Sequence, residues 1–374
     1  MVDADALAGL REKIDELDRR LVELLNARAR IVIDIGKVKH QSGTPVYAPD
    51  REKIVLERIR KANRDVAGVL PDSCLEAIYR ELMSGSFALE KPLRIAYLGP
   101  QGSFSHLASV KKFGSSVEHV PVVAIASVFD EVGRGHADLG LVPIENSTIG
   151  GVVESMDAFL EHPHVTIVAE VLIAIHSHLL ANCAPEDVKV IYSKAEAMDQ
   201  CRSWLDATFR DAQRIAVGSS SKAAEMAAQQ AEKGVAAIGS SLAAEVYGLK
   251  TLFANIEDNP NNVTRFFVIG KVGAGGGPGG AAKRTGDDKT SIIFTTAHKS
   301  GALVDVLDVF RRYGINLTNI DTRPSQKRNF EYYFFVDLAG HIEDEGVTRA
   351  LEEVRGHCLQ LAVLGSFPRA LEVL

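Results

Sequence analysis

Between residues 4 and 39, apolar side chains return at helical spacing (Leu10, Ile14, Leu17, Leu21, Leu24, Leu25, Val32, Ile35) and no proline interrupts them. The pattern predicts one helix about 50 Å long at the usual rise per residue. A helix of that length cannot bury its stripe against a small globule. It must lie along other helices or along a second copy of itself. The 374 residues, 46% of them hydrophobic, are enough for two or three globular domains.

After a loop at Ser42-Gly43-Thr44-Pro45, helices predicted near 49–63 and 71–89 complete an all-helical module over residues 1–90. Lys91-Pro92 marks a boundary. Residues 92–271 read as α/β, with strands near 93–98, 139–142, 165–175, 188–192, 214–217 and 235–238. A strand at 266–269 is expected to return to the first sheet, which predicts two lobes with a cleft between them. Residues 272–288 are dominated by glycine from Gly273 to Gly280 and read as a flexible linker, because no G-K-[ST] ends the run as a phosphate loop requires. Residues 289–374 show the order strand 291–296, helix 301–313, strands 317–323 and 331–338, helix 345–354 and strand 361–367. That is the α+β ferredoxin-like split unit.

A net charge of −7 and a pI near 5.9, with no basic stripe, argue against nucleic acid as a partner. No basic segment followed by an apolar core opens the sequence, and no apolar run is long enough to span a bilayer, so a cytoplasmic protein without a membrane partner is expected. Cys74, Cys183, Cys201 and Cys358 form no C-x-x-C pair, and His162/His164 and His176/His178 lack neighbours that complete a metal shell. Neither a metal nor a cofactor is called for.

Two polar segments suggest a ligand site. Glu145, Asn146, Ser147 and Thr148 follow the apolar run at 139–142 directly and are closed by Gly150-Gly151. They are either a turn capping a helix near Val152, with Ser147 or Thr148 as N-cap, or one wall of a site at a strand's C-terminal end. Thr264 and Arg265, after Asn259-Pro260-Asn261-Asn262, stand just before an apolar run. Hydroxyl and guanidinium together suit a carboxylate that carries a leaving hydroxyl, which favours the site. In the first helix Arg28 and Lys39 are eleven residues apart and share a face, about 16 Å from one another along the axis. Two such cations can bracket a dianion. Arg11 is turned roughly 100° from that face and should serve a different site.

Leu10-Arg11-Glu12-Lys13-Ile14-Asp15, Arg28, Gly36-Lys37-Val38-Lys39 and Asp50-Arg51-Glu52 resemble the all-helical chorismate mutases, which are intertwined dimers. The resemblance implies that Arg28 and a partner chain's Arg11 hold the two carboxylates of chorismate. It also implies that Lys39 faces the ether oxygen, that Glu52 accepts from the ring hydroxyl, and that Arg51 and Ser86 belong to the substrate-binding set. The rearrangement is pericyclic, so catalysis is orientation plus stabilisation of charge growing on the ether oxygen. Two positions depart from the family. Ala48 replaces an aspartate found in some members, and Glu90 stands where Ser-x-x-x-Gln has its glutamine, four residues after Ser86. An ionised Glu90 would repel the growing charge, so it is expected to work as a neutral acid.

Tyr97-Leu98-Gly99-Pro100-Gln101-Gly102-Ser103-Phe104, the 145–148 loop, Ser219-Ser220-Ser221 and Thr264-Arg265-Phe266 resemble the prephenate dehydratases, two-lobed α/β proteins of periplasmic-binding-protein-like build. The resemblance implies that Thr264 assists the leaving hydroxide, with Glu145 as the alternative acid. Asn146, Ser147, Thr148, Ser220 and Ser221 would orient prephenate, with backbone N–H groups at Gly102-Ser103 as anion donors. Arg265 suits either a substrate carboxylate or an ion pair with Glu145. Ser193-Lys194-Ala195-Glu196 replaces a Ser-His-Pro-Gln found in many relatives.

The last module resembles an ACT domain. Gly301-Ala302-Leu303-Val304 opens its first helix, and Asp321-Thr322-Arg323-Pro324 is similar to the Glu-Ser-Arg-Pro phenylalanine motif. The three resemblances together imply a homodimer or higher oligomer that takes chorismate to prephenate and on to phenylpyruvate under feedback by phenylalanine. A cytoplasmic sensor without turnover and a dehydratase preferring arogenate are the alternatives. The Arg11, Arg28, Lys39 and Glu52 set weighs against the sensor.

Overall fold

The computed structural model describes residues 4–42, 44–230, 233–275, 281–324 and 332–374. The N-terminal module is three helices, α1 (Ala4–Ser42), α2 (Pro49–Asp65) and α3 (Asp72–Glu90). Gly43, within the predicted loop, lies outside the described residues. α3 packs on the C-terminal half of α1, where a Cβ on Gly36 would stand 3.1 Å from Glu90 Cγ. A larger residue at Gly36 would push the two helices apart. Most of the apolar stripe of α1 stays bare, with Leu17, Leu21 and Leu24 exposed to 59%, 53% and 67%, while Val32 is buried. Fully burying an exposed leucine is worth about 1.5–3 kcal/mol, and these three keep more than half of their surface in contact with water.

The middle module has two lobes. The first contains β1 (Arg94–Leu98), α4 (Phe104–Phe113), β2 (Glu118–Val122), α5 (Ile125–Arg134), β3 (Leu139–Asn146), β4 (Gly150–Gly151), α6 (Val153–Glu161) and β5 (Val165–Ala174). The second contains β6 (His178–Ala181), β7 (Val190–Ser193), α7 (Ala195–Gln200), α8 (Arg202–Thr208), β8 (Gln213–Ala216), α9 (Ser220–Gln229), β9 (Val235–Gly239), α10 (Ser241–Tyr247) and β10 (Lys250–Phe253). Its sheet has the order β10-β6-β9-β7-β8. The chain then returns as β11 (Val263–Lys271), between β3 and β5 in the order β2-β1-β3-β11-β5. The returning strand was expected, but it starts three residues earlier than the apolar run. Thr264 and Arg265 are therefore inside the sheet, paired with Asn146 and Glu145.

The cap reading of the 145–148 loop does not hold. α6 begins at Val153 with no side-chain cap, because Gly150-Gly151 fold back as β4 on Glu145 and Asn146. Four short strands, β2, β4, β6 and β10, escaped the hydrophobic pattern. One of them, β2, is an edge strand interrupted by Pro121, a residue that a central strand excludes.

The C-terminal module is β12 (Asp288–Thr295), α11 (Ala302–Arg312), β13 (Leu317–Pro324), β14 (Tyr332–Ala339), α12 (Glu345–His357) and β15 (Gln360–Pro368), in the predicted order. Residue 331, the predicted start of one strand, lies outside the described residues. The antiparallel sheet β13-β14-β12-β15 buries one face under its helices through Phe294, Phe310, Val336 and Val354. Its other face joins the first lobe's core, where Ile293, Phe335, Leu364 and Phe367 meet Phe159, Ile167 and Phe267.

Of the stretch read as a flexible linker, residues 276–280 lie outside the described residues. The part that follows is packed rather than loose. Ala281 and Ala282 are buried, Ala282 N donates to Ser366 O at 2.9 Å, and Lys53 of α2 donates to Asp287 O at 3.1 Å. Small side chains are what let this backbone lie against the sheet. Among the described residues no helix is long and apolar enough to cross a membrane.

Two candidate active sites and a candidate effector site

In the cleft of the middle module, β3 and β11 bring the two polar segments together. Asn146 Nδ2 donates to Thr264 Oγ1 and to Asn262 Oδ1, each at 2.8 Å. Asn146 Oδ1 accepts from the N–H groups of Thr148 and Ile149 at 3.0 and 3.1 Å, which fixes the amide's orientation. Ser147 Oγ accepts from Val263 N at 2.9 Å, tying the loop to the start of β11. Asn262, buried and linked at 3.3 Å to Gln200 Oε1, was not assigned a role from the sequence. Its place two residues before Thr264 was the available signal, because alternate residues of an extended chain share a face. Thr148 faces a cavity of about 380 Å³ shared with Gln200, Asn259 and Asn262.

Across the cleft, Ser221 donates to Gln101 O and lies 3.1 Å from the Tyr247 hydroxyl, while Ser220 Oγ is 3.5 Å from Ser193 Oγ. The expectation that Gly102-Ser103 offers free N–H groups is overturned. Gly102 N donates to His106 Nδ1 at 3.0 Å and Ser103 N donates to Pro100 O at 3.2 Å. That bond requires a neutral His106, and burial, helped by His119, pushes its pKa down to about 4.

Arg265 faces away from the cleft. Nε donates to Glu170 Oε2 at 2.9 Å, and Nη1 is 2.6 Å from Asp337 Oδ2 but 3.8 Å from Glu145. Burial disfavours its charge, yet Asp337 and Glu170 outweigh that and hold its pKa up. Of the two readings open in the sequence, substrate carboxylate or Glu145 partner, the structure carries the second, as a long 3.8 Å ion pair secondary to Glu170 and Asp337. Two deeper carboxylates take the guanidinium, and Glu145 remains half-exposed.

In the helical module, Arg28 Nη1 donates to Ser86 Oγ at 2.8 Å, and Lys39 Nζ donates to Glu90 Oε2 at 3.0 Å and to Val46 O at 3.1 Å. Arg28, Lys39, Ser86 and Glu90 thus line one seam between α1 and α3. Arg11 and Arg51 are exposed. Glu52 points elsewhere than expected: its Oε2 accepts from Lys112 of α4 at 2.9 Å and from the Tyr47 hydroxyl at 3.2 Å. A carboxylate this buried needs a cation, and the adjoining lobe supplies one. Burial and Glu52 both raise the Tyr47 pKa, so that hydroxyl stays a donor.

Residues 10–91 match the family model for chorismate mutase type II, residues 95–274 that for prephenate dehydratase and residues 290–356 that for the ACT domain. The bifunctional chorismate mutase/prephenate dehydratase of Aquifex aeolicus (strain VF5) is 42% identical over 369 residues, covering 98% of this chain and 99% of that one. The chain belongs to the bifunctional chorismate mutase/prephenate dehydratases. Among solved structures, the prephenate dehydratase of Arthrobacter aurescens in complex with L-Phe superposes with a TM-score of 0.68 at 32% identity, covering 74% of this chain and 90% of that one. GqqA, described as a novel type of quorum quenching acylase, also gives 0.68, at 26% identity over 74% of this chain and 98% of its own.

In the ACT module, Gly301 adopts φ 82° just before α11, a left-handed position suited to glycine, and the buried Ala302 opens the helix. Leu303 is half-buried and Val304 exposed. The 321–324 motif lies on β13, the sheet's edge strand, with Thr322 and Pro324 exposed. Arg323 grips the Asp157 carboxylate of α6 through Nε and Nη2 at 3.0 and 2.7 Å. A Cβ on Gly151 would collide with the Asp321 carboxylate. Both charged residues of the motif therefore touch the dehydratase module next to the hairpin that carries Asn146.

Proposed function

We propose that the seam between α1 and α3 rearranges chorismate to prephenate, and that the cleft then expels carbon dioxide and hydroxide from prephenate to give phenylpyruvate. The carrying observation for the second step is the 2.8 Å bond from Asn146 Nδ2 into Thr264 Oγ1. Because Oγ1 accepts there, its own proton is free to turn into the cleft, and the incoming bond polarises that O–H. Thr264 then donates a hydrogen bond to the leaving hydroxyl and keeps its proton, stabilising the hydroxide as it departs. Glu145 is half-exposed and lies 3.8 Å from Arg265, its cross-strand neighbour, rather than beside Thr264. Ser147, Thr148, Ser220 and Ser221 orient the substrate. The test follows chorismate, prephenate and phenylpyruvate by ultraviolet absorbance with purified protein, with and without phenylalanine, and repeats the second step with arogenate. Failure to consume prephenate or arogenate would end the dehydratase reading.

For the first step, Arg28 and a partner copy's Arg11 hold the substrate's carboxylates, Lys39 serves the ether oxygen, and Arg51, Ser86 and Glu90 complete the site. The bare α1 stripe supports a dimer in which α1 covers α1. Leu21→Glu puts a charge in that stripe, so sedimentation should show dissociation. Mutase activity should fall at least about tenfold while the dehydratase rate stays. A dimer of unchanged stability would reject α1 as the interface.

Phenylalanine acts, in this reading, at the ACT module through Gly301, Ala302, Leu303, Val304 and Asp321 to Pro324. Asp321→Ala should raise the concentration giving half-inhibition by about tenfold, within the usual range of site-to-site coupling. Unaltered inhibition would exclude Asp321 from the effector site.

A further inference from the structure

Thr264 and Arg265 are consecutive on β11, so their side chains point to opposite faces. Thr264 meets Asn146 in the cleft, and Arg265 enters a buried cluster of charges behind the strand. Glu170 of that cluster is held independently by Lys289 at 3.1 Å and by Ala370 N at 2.8 Å. Asp337, on β14 of the ACT sheet, is different. Among the described residues its only cation is Arg265, at 2.6 Å, and its Oδ1 accepts from the Ser291 hydroxyl of β12. The pairing of β11 with β3 also shifts register between Arg265 and Phe266. The ladder to β5 runs unbroken from Val263 to Val268, so the irregularity is confined to the β3 side, where Asn146 faces Thr264 and where the side-chain clamp adds to the positioning.

We infer that Asp337 is a positioning residue for the dehydratase: by clamping Arg265 from the ACT module, it sets where the Thr264 hydroxyl stands against Asn146. The inference rests on Thr264 as the donor. Asp337→Asn keeps the shape but removes the charge that holds Nη1. A shift of about 1 Å in a reacting group costs about 10²-fold in rate.

The test uses the full chain and measures dehydratase kcat and KM beside mutase activity in the same sample, which reports on folding. Asp337→Asn should lower dehydratase kcat by about ten- to hundredfold with KM and mutase activity little changed. If the effect runs through Arg265, the double variant Asp337→Asn/Arg265→Gln should be no slower than Arg265→Gln alone. Additive losses would overturn the inference. So would an unchanged kcat in Asp337→Asn alongside an inactive Thr264→Ala, an outcome that leaves Thr264 as donor. A fully active Thr264→Ala removes the donor reading and the inference with it. Should Asp337→Asn lose both activities through misfolding, Ser291→Ala, which loosens Asp337 without removing its charge, decides by whether dehydratase kcat falls alone.

Discussion

Thr264→Ala is expected to lower dehydratase kcat by about 10²–10⁴-fold, the range for losing a positioned proton donor, while chorismate turnover by the same chain is unchanged. The size of the effect follows from the chemistry. Aromatisation drives the loss of carbon dioxide, and the hard part is the departure of hydroxide, which needs a proton or a strong hydrogen bond as the bond breaks. Thr264 is buried and accepts from Asn146, so no other proton is directed from that position. Thr264→Ser keeps the hydroxyl and should retain most of the rate, whereas Thr264→Val keeps the shape and should behave like alanine. Asn146→Ala should have a smaller effect, about tenfold or more, because it removes polarisation and aim rather than the proton itself. Phenylpyruvate formation measured against Glu145→Gln separates the two candidate acids. A larger loss in Glu145→Gln than in Thr264→Ala would transfer the role to Glu145.

The parts of this fold that could be read in the sequence were those with a local cause. The α1 stripe, the alternation in the last module and the apolar strands of the first lobe each carry their periodicity within one segment. The 145–148 loop was visible as a dense polar run, but its geometry depended on β4, whose two glycines carry no hydrophobic signal. Thr264 and Arg265 looked like residues preceding a strand because polar side chains hide a ladder that backbone groups alone make. The ion pairs were the least legible. Glu52 is bound by Lys112 sixty residues away, and Asp157 by Arg323 at a separation of 166. Such partners are chosen by which domains meet, and nothing near either residue records it. Glu52 and Arg265 are such charges: their strongest partners, Lys112 for the first and Glu170 and Asp337 for the second, lie in segments far along the chain.

Lys39→Ala should lower mutase kcat/KM by about 10²–10³-fold and leave the dehydratase untouched, since in the proposed site it removes the group that meets the charge developing on the ether oxygen. The ligand-free site pairs Lys39 Nζ with Glu90 Oε2 at 3.0 Å. The contact ties Lys39 to a side chain only 8% exposed, so a substrate ether oxygen must share or displace it. Glu90→Gln keeps the shape and puts an N–H donor where the carboxylate stood. If Glu90 serves the ether oxygen as a donor, that variant should keep most of the mutase rate, and Glu90→Ala should lose about tenfold or more. Loss of mutase activity in Glu90→Gln as deep as in Glu90→Ala would show that the site needs the carboxylate beside Lys39.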